Sequence, residues 1–321
     1  MAKTVLVTGG AGFIGSHVVE GYLKKGYEVV IADNLVSGSM KNIRHLLDQP
    51  KVFFYQTDIK SREGLEKIFE RHKPAVINHH AAQKSVPASV EKPVYDLETN
   101  LLGLLNLIEM TRTHKIENFI YISSGGALSK EITGDEISVE DDYPQLSSPY
   151  AVTKFAGENY IKIYSKIYGF GYTVLRYGNV FGPRQIADGE CGVIPIFVNN
   201  ILANRPSVLM TYDDMPRGCS RDYIFVSDVA DVNVLVSEKA RNDTFNISSG
   251  REEYILDIYD QIADIFGSDQ KITVQGPRPG DVKRSVLNIS KARKELNWEP
   301  KVTLKEGIRI LRDHPGTTGI I

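Results

Sequence analysis

The 321-residue chain is poor in several features that would place it in other classes. It has two cysteines, Cys191 and Cys219, too few to build a metal cage by themselves and no basis for a disulfide framework. It lacks a basic excess: 38 Lys and Arg stand against 40 Asp and Glu, a formal charge of −2. That balance gives no footing for nucleic-acid or anionic-membrane binding. No uncharged apolar run approaches the ~18 residues of a membrane span. Met1–Val7 enters a strand-like stretch without a signal-peptide pattern, so the expected compartment is cytoplasmic. Internal repeats, low-complexity tracts and Ser/Gly linkers are missing. So is the signature of disorder, because 42% of the residues are hydrophobic and the net charge is small. What remains is a folded α/β protein, long enough for one large domain or two unequal lobes.

The first half alternates short β-branched or aromatic runs with helix-like stretches. Thr4–Thr8, Glu28–Ala32, Val52–Gln56, Ala75–His79 and Phe119–Ser123 read as strands, with Thr173–Arg176 as a further one. Helical patterns fall near Ile14–Lys25, Ser61–Arg71, Val94–Thr113 and Pro149–Tyr168. Strands separated by helices imply parallel βαβ units and a doubly wound sheet. After about Asn179 glycine and proline loosen the rhythm, with helical patterns near Ile194–Ala203, Val226–Lys239 and Ile255–Phe266. The expected organisation is a dinucleotide-binding domain over 1–178 and a smaller lobe over 179–321 whose segments return to the first.

The run Val5–Leu6–Val7–Thr8–Gly9–Gly10–Ala11–Gly12–Phe13–Ile14–Gly15 is the most informative local signal. Gly9, Gly12 and Gly15 follow a strand at three-residue spacing and open a helix. They permit a tight turn, close approach of the backbone to a pyrophosphate, and helix–sheet packing, while the helix N-terminus supplies free N–H groups. Alone, such glycines are only a strand–helix turn. Here Asp33 closes the second strand, in Val29–Val30–Ile31–Ala32–Asp33–Asn34. A carboxylate there accepts both ribose hydroxyls and repels a 2′-phosphate, which selects NAD over NADP. Asp58, after the third strand, is placed to meet the adenine edge, although an Asp there often only caps the following helix.

Tyr150–Ala151–Val152–Thr153–Lys154 opens a long helix after Ser147–Ser148–Pro149. The i,i+4 spacing puts both side chains on one face, one turn apart. A free tyrosine has a pKa of about 10. A neighbouring ammonium and a positively charged nicotinamide both favour its phenolate, making Tyr150 a candidate general base. Lys154 is also placed to hold the nicotinamide ribose. Without the dinucleotide loop this spacing would describe an ordinary amphipathic helix.

With these motifs the chain resembles the extended short-chain dehydrogenase/reductases and, among them, the UDP-glucose 4-epimerase family. The resemblance runs from Lys3 to about Arg312. Besides the runs above it is carried by His80–Ala81–Ala82 with Lys84–Ser85–Val86, Asn100, Ser123–Ser124–Gly125–Gly126–Ala127, Arg176–Tyr177–Gly178–Asn179, Arg221–Asp222–Tyr223 and Arg278–Pro279–Gly280–Asp281. It implies a Rossmann sheet, bound NAD, and epimerisation of a UDP-sugar through a 4-keto stage. It implies Tyr150 as base for the O4 proton, Lys154 as its tuner, and Ser124 as the hydroxyl bound to the same oxygen, with Ser123 in reserve. By the same resemblance Gly9, Gly12, Phe13, Ile14, Gly15, Asp33, Asn34, Asp58, Ile59, Ala81, Lys84, Asn100, Tyr150, Lys154 and Tyr177 line the cofactor. Lys84, Ser124, Tyr150, Asn179, Arg221, Arg278 and Asp281 would hold substrate, the two arginines pairing the phosphates as guanidinium forks do. The helices near Val94–Thr113 and Pro149–Tyr168 resemble those of a four-helix dimer contact, which implies a homodimer.

Two departures from the family pattern stand out. Leu128–Ser129–Lys130 replaces a common Val-Tyr-Gly, and counting back from it puts the usual hydroxyl position on Gly125. Ser285, seven residues beyond Arg278, stands where epimerases of unsubstituted hexoses place a tyrosine, which leaves room for an N-acetyl group. A 4,6-dehydratase is the nearest rival, but Gly125 and Gly126 occupy the places of its acid–base pair. A binding protein without turnover is the alternative from another class. His79 and His80 lie at no metal-ligand spacing and read as packing or loop residues, and the Asp135–Asp142 stretch reads as a solvated loop.

Overall fold

A computed structural model describes residues 3–130, 132, 134, 136–187, 192–277 and 282–313. The chain divides into two compact units. One comprises Met1–Leu128, Leu146–Arg176 and Val229–Phe245; the other comprises Ser129–Gln145, Tyr177–Asp228 and Asn246–Ile321.

The principal sheet contains β1 (Thr4–Thr8), β2 (Glu28–Asp33), β3 (Val52–Gln56), β4 (Val76–His79), β5 (Asn118–Ser124) and β6 (Gly171–Tyr177), with Asp243–Ile247 as a seventh strand. Its order is Asp243–Ile247, β6, β5, β4, β1, β2, β3. β1 pairs in parallel with both β2 and β4, β2 with β3, and β4 with β5. The chain therefore reverses its direction of winding between β1 and β4, and in open α/β sheets ligands bind outside the carboxyl ends of the strands at that point. The strands are nearly continuous Val/Ile/Leu because helices cover both faces of such a sheet. Val5, Leu6, Val7, Val30, Ile31 and Ile77 are fully buried.

Helix boundaries follow local chemistry. Ser61, Ser85 and Ser148 each accept a hydrogen bond from the amide three residues on, capping the helices that begin at Arg62, Val86 and Pro149. The helix Pro149–Tyr168 starts with Pro at its first position and ends at Gly169 in the left-handed region. The stretch that reads from the sequence as one helix near Val94–Thr113 is instead a helix Pro93–Leu97, a π-helical turn Glu98–Leu102 and a helix Gly103–Thr113. The wider turn centres on the buried Asn100, whose amide is held from both sides, as described below.

The second unit is built differently. Among the described residues its strands are two or three residues long and form small sheets. Asn179–Phe181 pairs with Tyr223–Phe225, and Val208–Met210 with Thr273–Gln275. Ser220–Arg221 lies between Glu253–Tyr254 and Arg284–Ser285. The helices Val193–Leu202, Ile255–Phe266 and Leu304–Asp313 bury Ile194, Phe197, Ile258, Ile262, Ile308 and Leu311 in one core with Phe181 and Phe225.

Candidate active site

The glycine loop is tightened to the limit of what a backbone allows. Gly9 has φ +69°, and a Cβ on it would stand 2.7 Å from the Ala81 amide nitrogen. A Cβ on Gly15 would lie 2.2 Å from the Gly9 carbonyl oxygen, so only glycine lets the helix begin so close to the turn. That helix, Phe13–Lys24, has Gly12 at its N-cap and no side chain capping it. The first-turn amides, Phe13, Ile14 and Gly15 among them, have no acceptor within the helix and mark an anion site. Asp33, at the end of β2, accepts from the Ala11 amide (2.9 Å) and the Leu35 amide (2.8 Å). Burial pushes its pKa up, and those two amides pull it back. Each of its oxygens keeps a lone pair for a ribose hydroxyl. The loop thus sets unpartnered first-turn amides near a carboxylate with free lone pairs, the chemistry that a dinucleotide's pyrophosphate and adenosine ribose require.

Around it, the Asn34 side chain donates to Asp58 (3.0 Å), joining the ends of β2 and the β3 loop. Ile59 is a core residue whose carbonyl accepts from the Asn106 side chain at 3.1 Å. Ala81 donates to the Thr8 hydroxyl (3.2 Å), which also meets His79 Nδ1 at 2.7 Å. His79 is buried and His80 half-buried. Desolvation first, then the charge of Lys154, drives their pKa values down, that of His80 to about 3. Both are neutral imidazoles bracing the loop, and no metal-binding group of three His, Cys, Asp or Glu occurs among the described residues. Tyr177 is buried at the end of β6. Lys84 is exposed just after Gln83. Asn100 donates to the Gln83 carbonyl (3.0 Å) and accepts from the Gln83 amide (2.9 Å), bracing the segment that carries Lys84.

Tyr150 and Lys154 occupy the first turns of the helix Pro149–Tyr168. Lys154 is 6% exposed, donates to the Ile122 carbonyl (3.0 Å), and lies 5.8 Å from the Tyr150 ring centre and 5.5 Å from that of Tyr121. Burial lowers its pKa to about 8, against the upward pull of Asp96 and Glu158. Ser124 ends β5 half-buried, its Oγ accepting from the Ala127 amide at 3.2 Å. Ser123 is turned inward and donates to Glu158 at 2.6 Å. Glu158 is fully buried in a two-pronged pair with Arg176, at 2.8 and 2.7 Å.

In the second unit, Asn179 donates through its side chain to the Asp222 carbonyl at 3.1 Å, next to Arg221. Arg221 and Ser285 are register partners in the three-stranded sheet, on the same face, while Ser220, Tyr254 and Arg284 occupy the other. A cavity of about 510 Å³ is lined by Tyr254, Arg284, Arg217 and Lys283 with neighbouring loop residues, not by Arg221 or Ser285. Arg278 and Asp281 lie outside the described residues, as does Cys191. Sequence reasoning missed Asp96, Gln83 and Thr153, which form a buried network beside Lys154. The only local hint was the Asp96–Asn100 spacing of one helical turn.

Whole-chain comparison shows the relatives of this fold. A family profile described as GDP-mannose 4,6 dehydratase matches residues 6–311. The crystal structure of a Thermotoga maritima UDP-glucose 4-epimerase with UDP-glucose has a TM-score of 0.91 at 39% identity, covering 98% of this chain and 99% of that one. A Thermus thermophilus UDP-glucose 4-epimerase in complex with NAD is 41% identical, with a TM-score of 0.88 and coverage of 97% and 98%. A Methanobrevibacter ruminantium UDP-N-acetylglucosamine 4-epimerase, in complex with UDP-N-acetylmuramic acid, is 32% identical with a TM-score of 0.88, covering 98% and 99%.

Proposed function

The chain belongs to the NAD-dependent epimerase/dehydratase family, and from that premise we propose that it is a 4-epimerase of UDP-hexoses with retained NAD. The observation that carries this reading is the buried Lys154 ammonium one turn from Tyr150, in the same unit as the glycine cradle and Asp33. Bound NAD supplies reversible oxidation at C4 of the sugar. The amides after Gly12 hold its pyrophosphate and Asp33 its adenosine ribose. Tyr150 takes the O4 proton and returns it, and Lys154 favours the phenolate through its charge. Ser124, rather than the inward-turned Ser123, donates to the same oxygen. Arg221 and Asn179 hold the diphosphate, with Lys84, Arg278 and Asp281 completing the contacts to nucleotide and substrate. Ser285, registered beside Arg221, is a small side chain where a tyrosine would exclude an N-acetyl group, which supports including UDP-GlcNAc and UDP-GalNAc as substrates. Gly125 and Gly126, in the short helix after β5, cannot move protons, which argues against a 4,6-dehydratase.

A homodimer and a cytoplasmic location belong to the same reading. Val94, Leu97, Val152, Ile163 and Ile167 are 47–68% exposed, an apolar surface of the kind that marks a contact between proteins. Val152, Ile163 and Ile167 recur on the outer face of the helix whose inner face buries Ala151, Lys154 and Ile161. Sedimentation velocity would show a single dimeric species; a monomer would remove that part of the reading.

The function is tested by incubating the purified protein, without added cofactor, with UDP-glucose and separately with UDP-GlcNAc, and resolving the anomeric protons by NMR. Galacto epimers are the expected products. A 4-keto-6-deoxy sugar would transfer the reading to the dehydratases. No change, even with NAD and other UDP-sugars added, would leave a binding protein.

A further inference from the structure

Asp96 is a buried carboxylate of the first unit whose hydrogen-bond donors are all side chains, none of them cationic. It is fully buried in the helix Pro93–Leu97. Its Oδ1 accepts from the Gln83 side chain (2.8 Å) and the Asn100 side chain (3.0 Å), and its Oδ2 accepts from the Thr153 hydroxyl (2.7 Å). All three donors are neutral. Thr153 lies between Tyr150 and Lys154 on their helix, and its hydroxyl also reaches the Tyr150 carbonyl (3.1 Å). The Asn100 side chain approaches the same hydroxyl at 3.3 Å. One carboxylate therefore joins three pieces of chain far apart in sequence: the segment before Lys84, the π-helical turn, and the start of the Tyr150–Lys154 helix.

The charges that face Lys154 can be named element by element. From its own helix come Tyr150 and Glu158. From β6 comes Arg176, which neutralises Glu158 in the two-pronged pair. From β5 come the Tyr121 ring and the Ile122 carbonyl. From the end of β4 come His79 and His80, both held neutral. From the helix Pro93–Leu97 comes Asp96. With Glu158 paired, Asp96 is the carboxylate among these whose charge no neighbouring guanidinium cancels. In a desolvated site such a charge acts strongly on a buried ammonium.

We propose that Asp96 is a positioning residue for the Tyr150–Lys154 pair, anchoring the start of their helix through Thr153 and supplying the negative charge that keeps Lys154 an ammonium. This rests on reading Tyr150 and Lys154 as the reacting pair, and it deepens that reading. Burial pulls the Lys154 pKa to about 8, and Asp96 is the first of the two groups opposing that pull. Without Asp96, Lys154 would lose its proton at lower pH, and the phenolate would lose its counter-charge with it.

The test follows Lys154 directly and does not depend on any sugar. In protein labelled with ¹³C at lysine Cε, the Lys154 resonance is assigned by its loss in Lys154→Met and titrated by NMR. Asp96→Asn is expected to lower its midpoint by roughly one pH unit. Asp96→Glu, which keeps the charge, should stay with the parent. Thr153→Val should leave the midpoint in place while amide exchange over Tyr150–Lys154 quickens about tenfold. If Asp96→Asn does not fold, Asp96→Ser carries the same expectation. Where a UDP-sugar is turned over, the alkaline limb of kcat should move with the Lys154 midpoint. An unmoved midpoint in the charge-removing variants would overturn the proposal, as would unchanged exchange in Thr153→Val. A shifted midpoint in a protein that epimerises nothing would leave the proposal standing and fell the functional reading instead.

Discussion

The two units solve the problem of placing charge in opposite ways. In the first, the ionisable groups are sunk into the protein: Lys154, Asp96, Glu158 and Arg176 are all 6% exposed or less. Lys154, Glu158 and Arg176 are held by hydrogen bonds within the sheet and the capped helix, and Asp96 by the side chains of Gln83, Asn100 and Thr153. In the second unit the ion pairs sit near water. Arg284 and Glu252 pair with 20% and 25% of their side chains exposed, and Lys283 and Arg217 pair with the more exposed Asp214 and Asp257. Asp222 and Asp228 are buried there, and both bind main chain: Asp222 the amides of Ser249 (3.0 Å), Gly250 (3.1 Å) and Leu287 (3.2 Å), with the Ser249 hydroxyl at 2.6 Å, and Asp228 the Val302 amide (3.0 Å). Around Lys154 the first unit fixes charges chiefly through side chains, whereas the second holds main chain on its buried carboxylates and keeps the paired Arg217, Lys283 and Arg284 nearer water. Preorganisation of the first kind suits chemistry, where charge must develop at a fixed point. The second suits recognition of a charged diphosphate.

The comparison is broken most severely at Tyr150. Tyr150→Phe removes the proton acceptor and leaves Lys154, Asp33 and the glycine cradle in place. The expected result is a loss of turnover on the order of 10²–10⁴-fold, with NAD still copurifying and UDP-sugar affinity unchanged. Single-turnover assays and the absorbance of retained cofactor measure both halves. Full activity in the variant would remove Tyr150 from its role.

Next in size is the buried pair. Arg176→Met would leave Glu158 buried with Ser123 as its remaining donor, at a cost of about 3–5 kcal/mol in stability. The matching change in the second unit, Arg284→Met, should cost about 1 kcal/mol or less, because its partner is partly solvated. Arg284 holds the Glu252 carboxyl below the usual range, so what that pair contributes is present at neutral pH. It disappears as the pH falls through the lowered folded-state value. Urea denaturation of both variants at neutral pH decides the matter, and equal losses would erase the distinction between the units.

The same contrast explains what could be read in the chain. The first five strands were legible to within a residue, whereas Gly171–Tyr177 begins two residues before the reading and Asp243–Ile247 was not read as a strand. Val5–Val7, Val29–Ala32 and Ile77 form apolar runs bounded by glycine, aspartate or histidine, and a strand buried on both faces needs no more signal than that. The glycine loop, Asp33 and the Tyr150–Lys154 spacing were legible because each is a local pattern. The strands Ser220–Arg221, Glu253–Tyr254 and Arg284–Ser285 were not, since two residues carry no period. The π-helical turn was missed because its cause is the grip of Asn100 on Gln83, 17 residues away. Asp96 was missed for the same reason: its partner Thr153 is 57 residues further on, and one acidic residue in a surface-like helix announces nothing by itself.

The smallest effect is expected in the second unit, at a position proposed to tune the substrate rather than to hold it. Ser285 is buried and registered beside Arg221, so a larger side chain there would change the shape of the proposed sugar subsite while the charges stay as they are. Ser285→Tyr fills the space assigned to the N-acetyl group. It should lower kcat/KM for UDP-GlcNAc by about 10–200-fold, the discrimination typical of a shape change in a pocket. Activity on UDP-glucose should fall much less, because that sugar carries only a hydroxyl at C2. A parallel fall on both sugars would mean that the tyrosine disturbs Arg221 and the sheet around it. Undiminished activity on UDP-GlcNAc would mean that the acetyl group lies elsewhere. Only a split between the two substrates would place the selectivity in this unit and the chemistry in the other.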